Sequence, residues 1–427
     1  MLAESGVAAP RPSRLELCGQ APQEETEVAD KVRLAVIGCG GIAGAHLNGY
    51  DALVKGGCDT FDIVAVCDPL PASAEGYAER VQKVTGSQPR VYADVAAMLK
   101  AEELDGADIC SPHCFHLPNA LECLEGGLHV MVEKPLGITV KASKQIIEAG
   151  ARCGKMVATA ENVRRYLAAR ATEWAVNTAK MIGQPRLFTV QVLSSSEFPV
   201  DRPAMQWRAI KTLTGGGMIM DSGAHFTDMM LHVFGDVDEV TCQMRTFDAP
   251  LIEASFLGQP LPLDVEDSWV VTMRFKSGLM GTWCWSRSAP GHEVRTALYH
   301  GSAGSLNDLG FPFHPFQSGA ELKLADGNTK SREQIQVEYL MSLGCAERGR
   351  LFPYGVTDGF AVEVGDFIDA IANNRPPDVD GEAGLRAKAL CEACYESATI
   401  GKPVKYDDVL SGAVCEYQKP INEHWGI

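Results

Sequence analysis

Between Val32 and Val132, short apolar runs alternate with stretches whose apolar positions recur every three or four residues. The runs VRLAVIG (32–38), FDIVAVCD (61–68), GADICS (106–111) and HVMVEKP (129–135) read as strands, and VYAD (91–94) as a brief edge strand. The intervening periodicity predicts helices over 41–54, 72–84, 94–101 and 117–126. Strands alternating with helices imply a parallel sheet covered on both faces. With right-handed crossovers the result is a doubly wound α/β domain.

From about residue 185 the texture changes to longer strands with tight turns. RLFTVQVLSSS (186–196) alternates apolar and polar positions, and SWVVTMRF-KSG-LMGTWCWS (268–286) reads as a hairpin turning at Ser277-Gly278. VRTALYHG (294–301) is expected to continue that hairpin. Consecutive hairpins give a mostly antiparallel sheet with one face free for other packing. Helical patterns flank it at 358–373 and 382–400. The expected organisation is an arm over 1–30, a dinucleotide-binding domain over 31–158, and an α+β domain over 159–427 for substrate and for oligomer contacts.

The chain has 427 residues, 46% hydrophobic and 22% charged, enough for two packed cores. No apolar run approaches the roughly 18–20 residues of a membrane helix, so no membrane partner is expected. The first thirty residues carry Pro10, Pro12, Pro22 and the acidic Glu24, Glu25 and Glu27, without a basic start and apolar core. They are expected to form a mobile arm, or one packed on a partner subunit, and the absence of a secretory signal points to the cytoplasm. A net charge of -17 without a local basic stripe excludes nucleic acid as a partner. The 14 cysteines are scattered, several in apolar runs (Cys67, Cys110, Cys284), and read as buried thiols rather than disulfides. Cys391 and Cys394 form a C-x-x-C inside a helical pattern with no second pair, a poor metal or redox site.

The turn CGGIAGAH (39–46) follows an apolar strand and opens a helix. Gly38, Gly40 and Ala43 make the G-x-G-x-x-A form of the dinucleotide fingerprint. Gly38 permits the tight turn, Gly40 lets backbone approach a pyrophosphate, and Ala43 lets helix and strand pack closely. The helix start adds free N–H groups and a positive dipole end. The next strand ends in Asp68, whose carboxylate would accept bonds from ribose hydroxyls; the alternative is a turn formed before proline. Pro69, Leu70 and Pro71 follow with no cation, which favours NAD over NADP.

Two further stretches carry chemistry. Glu133 and Lys134 end a predicted parallel strand, where ligands bind in such sheets. On spacing alone an exposed ion pair is the other reading. In GGGMIMDSGAHFTDMMLH (215–232), Asp221 and His225 are four apart and are expected on one helical face with Asp228. A histidine near neutral pKa suits proton acceptance from an alcohol, with Asp221 orienting its ring.

Taken with SPHCFHLPNALECLEGGLHVMVEKPLG, AENVRRY, WRAIKTLTGGGMIMDSGAH and FIDAIANNRPPDVDGEAGLRAKALCEACYESATIGKPV, these motifs resemble the glucose–fructose oxidoreductase/inositol dehydrogenase (Gfo/Idh/MocA) family from about Val32 to about Tyr406. The resemblance implies a Rossmann domain followed by an open, largely antiparallel sheet. It implies Lys134, Asp221 and His225 as catalytic residues. The cofactor set implied comprises Gly38, Gly40, Gly41, Ile42, Ala43, Asp68 and Ser111, with His113, His116, Glu133, Lys134, Asn162, Trp207 and Arg208. The substrate set is Lys134, Asn162, Arg165, Arg208, Asp221 and His225. The H-x-x-H of His113 and His116 is not read as a metal site, and no metal is expected. Extra sequence around 248–266 and 307–350 departs from the family pattern.

The expected activity is NAD-dependent oxidation of a secondary hydroxyl on a sugar, polyol or glycoside, His225 taking the proton and Lys134 holding the oxygen. The alternative is redox-neutral glycoside cleavage through transient oxidation. A homodimer or homotetramer is expected, because the open sheet needs a cover. Trp283 and Trp285 alternate onto one face of their strand, pointing to burial in the core or in a subunit contact.

Overall fold

The computed structural model describes residues 31–199, 203–252, 261–310 and 313–427. The arm expected over 1–30 lies outside the described residues, as do parts of both extra stretches. The first sheet comprises β1 (Val32–Ile37), β2 (Phe61–Cys67), β3 (Arg90–Tyr92), β4 (Gly106–Ile109), β5 (His129–Glu133) and β6 (Val157–Ala160). All six strands run parallel in the order β3-β2-β1-β4-β5-β6. The helices α1 (Gly41–Lys55), α2 (Pro71–Thr85), α3 (Val95–Ala101), α4 (His116–Glu125) and α5 (Val140–Cys153) connect them. The order reverses between β1 and β4, so the connections leave to opposite faces and open a crevice at the carboxyl ends of the strands. Leu34, Val36, Ile63, Val130 and Met131 are fully buried, as expected of strands covered on both sides.

The second sheet is built from β7 (Pro185–Leu193), β8 (Val237–Arg245), the short pair β9 (Leu251–Ile252) and β10 (Leu261–Pro262) beside it, and β11 (Ser268–Phe275) with β12 (Met280–Ser286). Then follow β13 (Val294–Gly301), β14 (Gly304–Asp308), β15 (Ala320–Leu324), β16 (Thr329–Lys330) and β17 (Val404–Lys405). Nine of these form one sheet in the order β16-β15-β14-β13-β7-β12-β11-β8-β17. The β11–β12 hairpin forms as expected, with Trp269 opposite Trp285. β13 does not continue it: β7 lies between them, parallel to β12 and antiparallel to β13. The connection over 287–293 is long enough to skip one strand, a step of about 10 Å. The sheet is therefore mixed.

Trp283 and Trp285 point inward, into the chain's own core. Trp283 stacks on Phe226 with ring centroids 4.2 Å apart, and Trp285 on Trp269 at 4.6 Å. The opposite face exposes Leu187 (48%), Val270 (53%) and Met280 (55%).

The chain returns twice to the first sheet. The helix Gly359–Ala372, capped by Asp358 through the Phe360 and Ala361 N–H groups, packs on α1 and buries Val364, Phe367 and Ile368 in the core beneath that sheet. The terminal helix Lys419–Trp425 buries Ile421 against the other face, and the Trp425 indole donates to Thr212 O at 2.6 Å. The covering layers of the parallel sheet are thus not confined to 31–158. Among the described residues, no helix is long and apolar enough to cross a membrane.

Candidate active site

The glycine turn lies at the switch point. Gly38 has φ +87°, and a Cβ there would sit 2.7 Å from Ser111 N, so the close approach of the ends of β1 and β4 requires glycine. Gly40 and Gly41 are exposed, and nothing lies within 4 Å of a Cβ on either. α1 starts with no side-chain cap and no acidic residue in its first turn, which leaves its N–H groups for an anion. Half-buried Ile42 and buried Ala43 follow, and Ala43 O accepts from the Tyr77 hydroxyl at 3.0 Å. Asp68, just after β2, accepts from Cys39 N–H (2.8 Å) and Leu70 N–H (2.8 Å). It holds the glycine turn and forms a turn of its own, with carboxylate lone pairs to spare for ribose hydroxyls. This cradle fits a dinucleotide.

Lys134 follows β5, and the Lys134–Pro135 peptide is cis. Its ammonium donates to Asp221 O (3.1 Å) and Asp221 Oδ1 (3.3 Å), while Asp221 Oδ2 accepts from Arg208 Nε at 3.0 Å. Burial alone would lower the lysine pKa, but Asp221, Glu133 and Glu161 raise it overall. Burial would raise Asp221, yet Lys134 and Arg208 hold it well below the usual carboxylate range. Lys134 is therefore a charged donor rather than a base. The Arg208 guanidinium lies over the Trp207 ring (4.5 Å), and that ring meets His113 edge-on at 5.0 Å.

His225 sits on the helix Gly223–Phe234, 7% exposed. Its Nδ1 lies 2.8 and 2.9 Å from the two carboxylate oxygens of Glu161. Glu161 directly follows β6 and also accepts from Val163 N–H at 2.9 Å. Although burial pushes Glu161 up, the His225 ring, the Val163 bond and Lys134 hold it below its ordinary value. An ionised Glu161 accepts a hydrogen bond from Nδ1–H, which fixes the ring proton there and leaves Nε2 with the lone pair. The His314 ring stands edge-on to His225 at 4.7 Å, and burial pushes it down to about 4, so it is neutral.

Several expectations are corrected by this geometry. Asp221 does not share a helical face with His225, because the helix begins at Gly223; Asp221 sits in the preceding turn and serves Lys134 and Arg208. The carboxylate that orients His225 is Glu161. Asp228 pairs with Arg164 instead, Nε to Oδ2 at 2.7 Å. Arg165 is 1% exposed and bound to Asp366 at 2.9 Å, so it could reach a substrate only by breaking a buried ion pair. Asn162 is buried beside Glu161, and its carbonyl accepts from Arg165 N–H at 3.1 Å. Glu133 turns away from the crevice toward His46, 3.1 Å away. His116 is fully buried, with ring nitrogens 2.9 Å from Pro135 O and 2.8 Å from Ser111 O, so it is packed into the floor of the crevice. His113 likewise donates to Thr214 O at 2.8 Å. Ser111 Oγ accepts from Asn119 Nδ2 at 3.0 Å.

Sequence reasoning gave no role to Glu161, His314 or Glu266. Glu161 directly follows VATA, a strand too short to stand out, yet it occupies the same carboxyl-end position that marked Lys134. Glu266 anchors the turn before Asp221, accepting from Gly217 N–H (2.9 Å), Ile219 N–H (3.0 Å) and the Tyr395 hydroxyl (2.8 Å). A Cβ on Gly217 would lie 2.7 Å from Glu266 Oε2, which explains that glycine.

Residues 32–161 match the oxidoreductase family's NAD-binding Rossmann fold, and residues 178–406 match its C-terminal alpha/beta domain. The chain belongs to the Gfo/Idh/MocA oxidoreductase family. Its NAD-binding domain is thereby assigned. Within the family, the chain is 29% identical to the D-glucoside 3-dehydrogenase of Escherichia coli over 255 residues, 58% of this chain and 68% of that protein. It is 24% identical to the myo-inositol 2-dehydrogenase of Thermotoga maritima over 381 residues, 89% of this chain and 100% of the other. Its fold resembles that of levoglucosan dehydrogenase in complex with NADH and levoglucosan, with a TM-score of 0.70 at 23% identity, covering 88% and 100% of the two chains.

Proposed function

We propose that the chain oxidises a secondary hydroxyl of a sugar, polyol or glycoside with NAD. The observation that carries this is the pairing of His225 Nδ1 with ionised Glu161, which leaves Nε2 as a proton acceptor in the same buried cluster as the Lys134 ammonium. NAD supplies the hydride acceptor. His225 Nε2 takes the hydroxyl proton, and Glu161 stabilises the imidazolium that results. Lys134 donates to the same oxygen and offsets the negative charge developing there. Asp221 holds Lys134 on one oxygen and Arg208 on the other. The named activities of the D-glucoside and myo-inositol relatives support a polyhydroxylated substrate.

The exposed face at Leu187, Val270 and Met280 supports a homodimer or homotetramer, and the thirteen described cysteines, all unpaired, support a reducing, cytoplasmic compartment. The test is a panel of sugars, polyols and glycosides with NAD, following NADH absorbance and released product together. Stoichiometric NADH that disappears in His225→Ala supports dehydrogenation. Product release without net NADH assigns redox-neutral cleavage instead, and NADH formation unchanged in His225→Ala refutes the site.

A further inference from the structure

Behind the crevice lies a polar cluster that the reaction above does not use. His46 comes from α1, three residues after Ala43, and is fully buried. Its Nδ1 lies 2.9 and 3.0 Å from the Asp108 carboxylate oxygens on β4. Its Nε2 lies 3.1 Å from Glu133 Oε1 on β5 and 3.6 Å from Glu363 Oε1 on the helix Gly359–Ala372. Tyr50, one turn further along α1, donates its hydroxyl to Asp108 Oδ2 at 3.0 Å, and the Cys110 thiol donates to Asp108 Oδ1 at 3.5 Å. The Phe360 ring closes the cluster, 5.8 Å from the imidazole.

An acceptor at each ring nitrogen requires two donors, hence an imidazolium. Burial would lower the His46 pKa, but Asp108 raises it well above the ordinary histidine value. Burial pushes the Glu363 carboxyl up, and neither of its oxygens has a hydrogen-bond partner. Nδ1, Asp108 and Cys110 converge within 4.8 Å, but Nδ1 is already spent on Asp108. Glu133 finds its hydrogen-bond partner in His46. It is the last residue of β5 and sits directly before Lys134, so the two share one strand end. Fixing the Glu133 carboxylate at the back therefore fixes the direction in which Lys134 leaves at the front.

We propose that His46 is a positioning residue for the reaction at Lys134: through Glu133 it fixes the strand end that carries Lys134 and ties it to the helix that receives the cofactor phosphates. The proposal rests on the role given to Lys134 above. A misplacement near 1 Å at a reacting group costs about 10²-fold, which sets the scale.

The test uses two substitutions. In His46→Asn the amide nitrogen takes the place of Nδ1 and Glu133 loses its partner; in His46→Gln it takes the place of Nε2 and Glu133 keeps one. With NAD and the substrate found by the panel, His46→Asn should lower kcat per NAD-binding site by about 10- to 100-fold, with KM and the NAD Kd within about threefold. His46→Gln should recover most of that loss. Crystal structures of both variants should show Lys134 Nζ displaced from Asp221 only in His46→Asn, against 3.3 Å to Oδ1 here. Lys134 in place in both variants overturns the proposal, as does an equal loss of kcat in both that tracks a fall in Tm. Lys134→Met is measured in parallel: wild-type turnover there refutes the reading of the site, while the crystal structures still decide whether His46 positions Lys134.

Discussion

Replacing Glu161 tests most directly how the proton leaves the substrate. The carboxylate touches Nδ1 with both oxygens, at 2.8 and 2.9 Å, in a site where its side chain is 3% exposed. When His225 accepts a proton, the new imidazolium faces this anion at contact distance. At an effective dielectric constant of about 20 such a contact is worth about 4 kcal/mol, matching the roughly 10²–10⁴-fold that a positioned acid–base group contributes. Glu161→Ala should therefore lower kcat by about that factor with the NAD Kd nearly unchanged. Glu161→Gln is more informative. Val163 N–H donates to Oε1, so the amide oxygen belongs there and the amide nitrogen falls at Oε2, 2.9 Å from Nδ1. That nitrogen donates to Nδ1 and drives the ring proton to Nε2, the nitrogen that must accept. Steady-state kinetics give the rate, and ¹⁵N NMR of the imidazole gives the tautomer. Turnover of Glu161→Gln within about threefold of wild type, with Nδ1 still protonated, would refute the assignment; so would a much larger loss in Asp221→Asn.

Asp68→Ala should erode the preference for NAD over NADP and weaken both, because Asp68 also holds Cys39 N–H in the glycine turn; equal affinity of the wild type for the two cofactors in a fluorescence titration would sink this. Burial pushes Asp308 up to about 7 against the bonds it accepts from Gly310 and Phe316 N–H. With the unfolded value near ~3.9, the folded chain holds the extra proton between those values, so this contribution is present below about pH 4 and lost as the pH rises toward 7. Asp308→Asn should then show a smaller drop in Tm between about pH 5 and about pH 8 than the wild type, and parallel slopes would contradict it. Val270→Lys places a charge on the exposed sheet face and should shift the mass from dimer or tetramer toward monomer in light scattering, whereas a wild-type monomer at micromolar concentration would remove the argument for that face.

The first sheet could be read from the chain because its strands and helices differ in period and each change of period is marked by a turn. Predicted and observed helices agree to within a residue or two at 41–54, 72–84, 94–101 and 117–126. β6 escaped because VATA is four residues with two alanines, too short and too weakly β-forming to separate from the helices around it. In the second sheet the β11–β12 hairpin was readable from Ser277-Gly278, since a two-strand turn is a local event. The placement of β7 between β12 and β13 was not, because it pairs residues more than ninety positions apart and nothing in the alternation of 186–196 names a partner.

The same distinction separates what the site revealed from what it concealed. Residues whose role follows from position on one element were visible: Gly38 and Gly40 at a strand-to-helix turn, Asp68 and Lys134 at strand ends, His225 within an apolar helix. What was misjudged is which charges meet. Four-residue spacing put Asp221 beside His225 on the premise of an unbroken helix, and the turn through Ser222 broke it. The true partner, Glu161, lies sixty-four residues earlier and reaches His225 only because β6 ends beside the helix Gly223–Phe234. His46 is joined to Glu133 across eighty-seven residues in the same way. A buried charge must find its counter-charge wherever the fold delivers one, since desolvation is too costly to leave it alone. Chemistry of single residues is therefore readable along the chain, whereas charge pairing, which decides which group is base and which is donor, is a property of the packed core.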